Sequence, residues 1–153
     1  VISEKVGDTY TLGYAKITIV GPVGTPEDLN NASVVMKVVY GKNSFLFTGD
    51  AEEKREKKIL ANGADIKADV LKLGHHGSST STSEEFLKVV SPSLALISCG
   101  KDNDYGHPHK ETIEKLEKYN IPYERTDIKG TIVVGSDGEH LSTAFPDNKT
   151  AEK

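Results

Sequence analysis

The 153-residue chain reads as an α/β layered domain, with antiparallel strands first and alternating strands and helices after. Three observations say so. Two apolar arms, Val34–Tyr40 and Ser44–Thr48, flank the turn Gly41-Lys42-Asn43, the pattern of a β-hairpin. Downstream, short aliphatic runs alternate with helical ones. Three apolar runs stop at residues that carry chemistry. Ser44–Thr48 stops at Asp50, Asp69–Leu73 at His75 and His76, and Leu94–Ser98 ahead of a loop with Tyr105-Gly106-His107-Pro108-His109. In open α/β sheets that C-terminal edge is where ligands usually bind.

Taken in order, Thr9–Val20 alternates in part through Tyr10, Leu12, Tyr14, Ile17 and Ile19. Gly13 interrupts it, so it is one strand or two joined by a bend. Gly21–Pro26 is a turn-rich loop, and the hairpin follows. Asp50 opens a helix over Ala51–Asn62 that Gly63 ends; Asp50-Ala51-Glu52-Glu53 has the form of a capping box. This helix is strongly charged, with Ile59 and Leu60 its chief apolar residues, which predicts an outer face. Asp69–Leu73 is the next strand. Glu84–Val90 is a helix with Phe86, Leu87 and Val90 on one face, stopped by Pro92. After the Leu94–Ser98 strand, Lys110–Tyr119 is a helix with Ile113, Leu116 and Tyr119 spaced by three. Pro122–Thr126 and Gly130–Gly135 are strands, and Asp137-Gly138 is a turn. Residues 1–144 are then the domain and residues 145–153 a polar tail.

The length suits one domain with a real core. No apolar run approaches the roughly 18 residues of a membrane span, and no secretory leader pattern opens the chain. The formal net charge of -4 argues against a general basic surface for nucleic acid. A phosphate substrate stays open, because bound divalent metal supplies positive charge locally. The single cysteine, Cys99, excludes an intrachain disulfide and a cysteine-rich zinc site, and reads as a small hydrophobe at a strand end. The start at Val1, directly in strand-like sequence, leads us to expect a piece of something longer.

Asp50 has two readings that one side chain can share: a helix cap, and a carboxylate held at a strand end for a metal. In extended chain, His75 and His76 would point to opposite sides. One then enters a metal site while the other anchors the loop or acts on substrate. Ser78 reads first as a turn residue and second as a donor to a substrate oxygen. His107 and His109 flank Pro108, which favours extended geometry before it. That places both rings roughly on one side, for metal or substrate. Imidazole with carboxylate suits zinc, iron or manganese, and a bound metal generates hydroxide near neutral pH.

The pieces Phe45–Glu52 (FLFTGDAE), Ala68–Ser78 (ADVLKLGHHGS) and Tyr105–His109 (YGHPH) resemble the metallo-β-lactamase superfamily. More narrowly, they are similar to the C-terminal hydrolase domain of the bacterial DNA-uptake channel proteins of the ComEC family and their secreted relatives. The resemblance runs from about Asn30 to Asp137. It implies an αββα sandwich with a dinuclear metal site at one edge, zinc first and manganese or iron otherwise. Asp50 matches the metal-bridging carboxylate, and His76, or else His75, the last histidine ligand. His107 and His109 match the later histidine loop beside the substrate. The superfamily's H-x-H-x-D-H motif is not in this sequence. The chain therefore resembles the C-terminal half of the sandwich, a mixed sheet with helices on one face. It offers fewer than the three protein ligands typical of catalytic zinc.

From this follow several expectations. The parent is a bacterial hydrolase of the cell membrane or exterior, acting on phosphodiesters such as DNA or on related esters. The chain alone binds metal weakly and hydrolyses little. A missing N-terminal half or a second copy covers the open sheet face. The alternative is a non-catalytic binding or assembly module on the same scaffold.

Overall fold

The computed structural model describes residues 5–148. Seven strands form one sheet in sequence order: β1 (Thr9–Leu12), β2 (Ala15–Gly21), β3 (Val35–Tyr40), β4 (Asn43–Phe47), β5 (Val70–Lys72), β6 (Leu94–Ile97) and β7 (Tyr123–Arg125). The first four run antiparallel, β1–β2 and β3–β4 joined by tight turns and β2–β3 by the long loop 22–34, and β4 to β7 run parallel. Three helices make the parallel crossovers: α1 (Glu53–Ala61), α2 (Glu84–Val90) and α3 (Lys110–Lys118). Because the sheet grows in one direction only, and such crossovers keep one hand, all three fall on the same face.

The core lies under those helices. Val35, Leu46, Leu71, Ala95 and Ile97 of the sheet meet Ile59 of α1, Phe86, Leu87 and Val90 of α2, and Leu116 of α3, all essentially buried. Strand register puts the alternate residues on the opposite face: Tyr10, Ile17, Val38 and Phe45 in one row, Ile19, Met36, Phe47 and Lys72 in the next. A second hairpin, β8 (Val133–Ser136) and β9 (Leu141–Ala144), covers part of this face. There Ile132 and Val134 close over Phe45, Phe47, Val70 and Leu96, leaving a cavity of about 230 Å³. The hairpin is moored at the β3–β4 turn. Ser136 bonds Asn43 at 2.6 Å, Lys42 N donates to Gly138 O at 2.6 Å, and a Cβ on Gly41 would sit 2.3 Å from that oxygen.

Several sequence expectations need correction. The capping box at Asp50 does not form: α1 begins two residues later, and Glu53 N donates to Thr80 O at 2.9 Å. Nor is α1 an outer helix resting on Ile59 and Leu60 alone. Arg55 and Glu56 are each 1% exposed. Arg55 reaches the carbonyls of Val23 and Thr25, while Glu56 accepts from the amides of Thr82 (2.5 Å) and Ser83 (2.8 Å). The helix ties two loops together through buried charge, which apolar periodicity cannot reveal. The short helix α4 (Thr126–Lys129) and strand β9 carry too little apolar pattern to be read from sequence. Pro146–Asn148 forms a 3-10 turn, with Asp147 accepting from Thr131 N, and residues 149–153 of the expected tail lie outside the described residues.

Candidate functional site

Three turns past the ends of β4, β5 and β6 meet at one edge of the sheet. After β4, Thr48 Oγ1 donates to Lys72 O at 2.9 Å, pinning this turn to β5. Gly49 takes φ +54°, and the amide of Asp50 donates to Ser33 Oγ at 2.9 Å. With the cap role gone, the Asp50 carboxylate is free to face the site. His75 N donates to Gly49 O at 3.0 Å, which locks the second turn against the first.

The expectation that His75 and His76 sit in extended chain is wrong. His75 (φ 45°), His76 (φ 56°) and Gly77 (φ 82°) make three successive left-handed residues, closed by Ser78 N to His75 O at 2.8 Å. Such a run is strained for side-chain-bearing residues, histidine tolerating it better than most. It turns the rings toward different carboxylates. His76 Nε2 lies 3.5 Å from Asp50 Oδ1, both side chains nearly half exposed. His75 Nδ1 lies 3.3 Å from Glu52 Oε1, but off the line of a hydrogen bond, and is buried without another partner.

His76 Nδ1 sits 2.6 Å from Ser98 O at the end of β6. A carbonyl only accepts, so Nδ1 carries a proton, and Nε2 is the ring nitrogen turned to the Asp50 side. A backbone acceptor behind a ligating imidazole is the usual support of a metal-binding histidine.

The third turn brings His107 and His109. Their rings are 4.8 Å apart, on one side as expected, across a cis His107–Pro108 peptide. His107 also lies 5.5 Å from the ring of His75 and 6.3 Å from that of His76. Burial first, and then the neighbouring imidazoles of His109, His75 and His76, lower its pKa below the ordinary value. His109 is engaged at both nitrogens. Nδ1 accepts from Ser79 N at 2.9 Å, so Nε2 holds the proton and donates to Tyr105 O at 3.2 Å. Ser78 is buried and bonded to Thr80, the turn role rather than the substrate role.

Sequence reading missed three members of this edge. Glu52 faces His75 and accepts from Thr80 Oγ1 at 2.9 Å. Asn103 braces the third turn, donating to Gly100 O and His107 O and accepting from His107 N. Lys72, desolvated by burial so that its pKa falls, lies at the foot of the edge, with Asp50 opposing the shift. The capping-box pattern pointed at Glu53, one residue past Glu52, and gave Glu52 no role. Cys99 is bonded to Asp127 and packs as the small hydrophobe expected, its thiol raised to about 11 by burial and by Asp127.

Asp50, His75, His76, Tyr105 and His107 line an open cavity of about 230 Å³. The donors suit a divalent metal in kind and fall short in number. Among the described residues no group of three or more His, Cys, Asp or Glu is gathered to hold a metal ion. Asp50 and His76 approach as a pair, as do Glu52 and His75.

A mixed sheet with crossover helices on one face and an acid–imidazole cluster past its parallel strands is a hydrolase-like α/β domain. Residues 7–101 match the metallo-beta-lactamase superfamily, and the chain belongs to it. The chain is 40% identical over 129 residues to ComE operon protein 3 of Bacillus subtilis (strain 168), covering 84% of this chain and 17% of that protein. It is 47% identical over 105 residues to Recombination protein 2 of Haemophilus influenzae, covering 69% and 13%. Competence protein ComA of Neisseria gonorrhoeae is 39% identical over 109 residues, covering 71% and 16%. The chain thus spans less than a fifth of the length of these relatives. The superfamily typically binds divalent metals.

Proposed function

We propose that the chain is the C-terminal part of a metal-dependent hydrolase domain whose complete form cleaves phosphodiesters, DNA before related esters. One observation carries this reading: the Asp50 carboxylate and His76 Nε2 converge at 3.5 Å, with Nδ1 of that ring fixed on Ser98 O. A divalent metal, zinc before manganese or iron, would be held there by Asp50 and His76 and would supply a water of lowered pKa. The remaining ligands come from an H-x-H-x-D-H segment outside this sequence. His107, His75 and His109 stand beside the substrate. His107, neutral at neutral pH, accepts or returns a proton at its ring nitrogen, while His109 positions the loop through Ser79 and Tyr105. The words competence and recombination in the relatives' names support DNA as the substrate.

By itself the chain binds metal weakly and does not hydrolyse. Calorimetric titration with zinc is expected to show weak, unsaturated heats that fall further in His76→Ala. Tight stoichiometric binding by the chain alone would overturn the half-site. In a version carrying the H-x-H-x-D-H segment, His76→Ala lowers nuclease activity by more than the roughly 100-fold upper range for losing a ligand's supporting contact. The incomplete donor set also favours a second reading, a binding or assembly module on the same scaffold. Full activity in that His76→Ala variant would decide for it.

A further inference from the structure

Tyr105 takes no part in the donor pair, yet the residue is 78% exposed at the lip of the cavity. Tyrosine usually keeps its apolar body covered. The backbone that presents it is firmly held: Asn103 bonds Gly100 and His107, Gly106 N donates to Asn103 O, and His109 Nε2 donates to Tyr105 O. The Tyr105 ring lies 5.7 Å from that of His107 at 18° to parallel, and His107 lies 6.3 Å from His76 at 20°. The three rings form a column that starts beside Asp50 and ends at the tyrosine. His76, Tyr105 and His107 also wall a second cavity of about 220 Å³, completed by Cys99, Gly100 and Asn103. Exposed Asp102 and Asp104 flank this end of the loop, which disfavours an anionic phosphate there and favours a neutral planar group.

We infer that the free face of Tyr105 is a stacking platform for a nucleobase adjoining the phosphodiester held at the site. This rests on the phosphodiester reading above. Stacking on an aromatic ring is tolerant of base identity, so the platform gives affinity for single-stranded nucleic acid without reading its sequence.

The test is fluorescence anisotropy of the chain with a labelled single-stranded oligodeoxyadenylate and with an abasic strand of equal length. Both carry the same charge, so a difference reports contact with bases. The wild-type chain is expected to bind the base-bearing strand about tenfold more tightly. Tyr105→Phe keeps that preference and Tyr105→Ala loses it. Equal affinity of the wild type for both strands, or a preference that survives in Tyr105→Ala, overturns the platform and leaves the phosphodiester reading in place. Binding of neither strand also overturns the platform, while the phosphodiester reading is tested separately by His76→Ala in the version carrying the H-x-H-x-D-H segment.

Discussion

Ser98 contributes a single carbonyl to the site, and that carbonyl sets how His76 is used. By accepting from Nδ1–H it turns Nε2 to the Asp50 side, where a metal or a proton would sit. Glu56 works one layer further back. Its carboxylate accepts from Thr82 and Ser83 N–H groups, and so fixes the segment that carries Ser79 to His109. Glu56→Ala leaves two amides unpaired in a buried place, with an expected loss of about 2–4 kcal/mol in urea unfolding. Burial also raises the Glu56 pKa above its ordinary 4.5. The stability this gives is in full below that ordinary value and is lost as pH rises through the folded pKa. His76 and Glu56 could be singled out or passed over from sequence only by type. Which carbonyl or amide each would meet depends on chain segments some 22 to 27 residues away.

At the scale of elements, the turn after β5 is the most demanding. Gly77 takes φ +82°, and a Cβ there would lie 2.8 Å from that of Pro108. Gly77→Ala combines left-handed strain with a clash, costing about 2–4 kcal/mol. It should also shift the His75, His76 and His107 ring resonances in NMR spectra. Unchanged stability would show that the turn relaxes freely. Helices α2 and α3 are clipped together by Glu84, which bonds Lys118 Nζ at 2.8 Å and the Tyr119 hydroxyl. These partners hold the Glu84 carboxyl down to about 2. Its folded pKa is depressed, so its contribution is present above the ordinary 4.5 and lost as pH falls toward 2. Glu84→Gln should therefore lower stability at and above 4.5 and flatten its fall between 4.5 and 2, where the two acid-unfolding curves converge. Helix α2 was legible because Phe86, Leu87 and Val90 repeat on one face. Helix α1 was misjudged because its buried face is Arg55, Glu56 and Ile59.

The whole molecule is shaped by its strand order. A sheet that extends from β1 to β7 without reversing puts its crossover helices on one side and leaves the other short of cover. The β8–β9 hairpin shields the region around Val70, but Tyr10 (43% exposed), Leu12 (73%) and Phe47 (36%) remain open to solvent on that face. Apolar surface of this kind is commonly a site of association. We expect the apparent mass from light scattering to rise with concentration, and less so in Phe47→Lys. A monomer that stays clean over a wide range would count against this.

The strand-ending motifs were enough to place Asp50, His75, His76, His107 and His109 at the C-terminal edge of a parallel sheet, because apolar runs followed by ligand-type residues are a local pattern. The helix-over-strand alternation was local as well. Only the tertiary structure decided which imidazole faces which carboxylate, since left-handed backbone at His75 and His76 depends on Gly49, Gly74 and Pro108 packing around that turn. It alone released Asp50 from capping, buried Arg55 and Glu56 between two loops, and set Tyr105 at the end of a ring column. Each of these depends on what distant segments of the chain offer one another once folded, which pattern along the sequence does not encode.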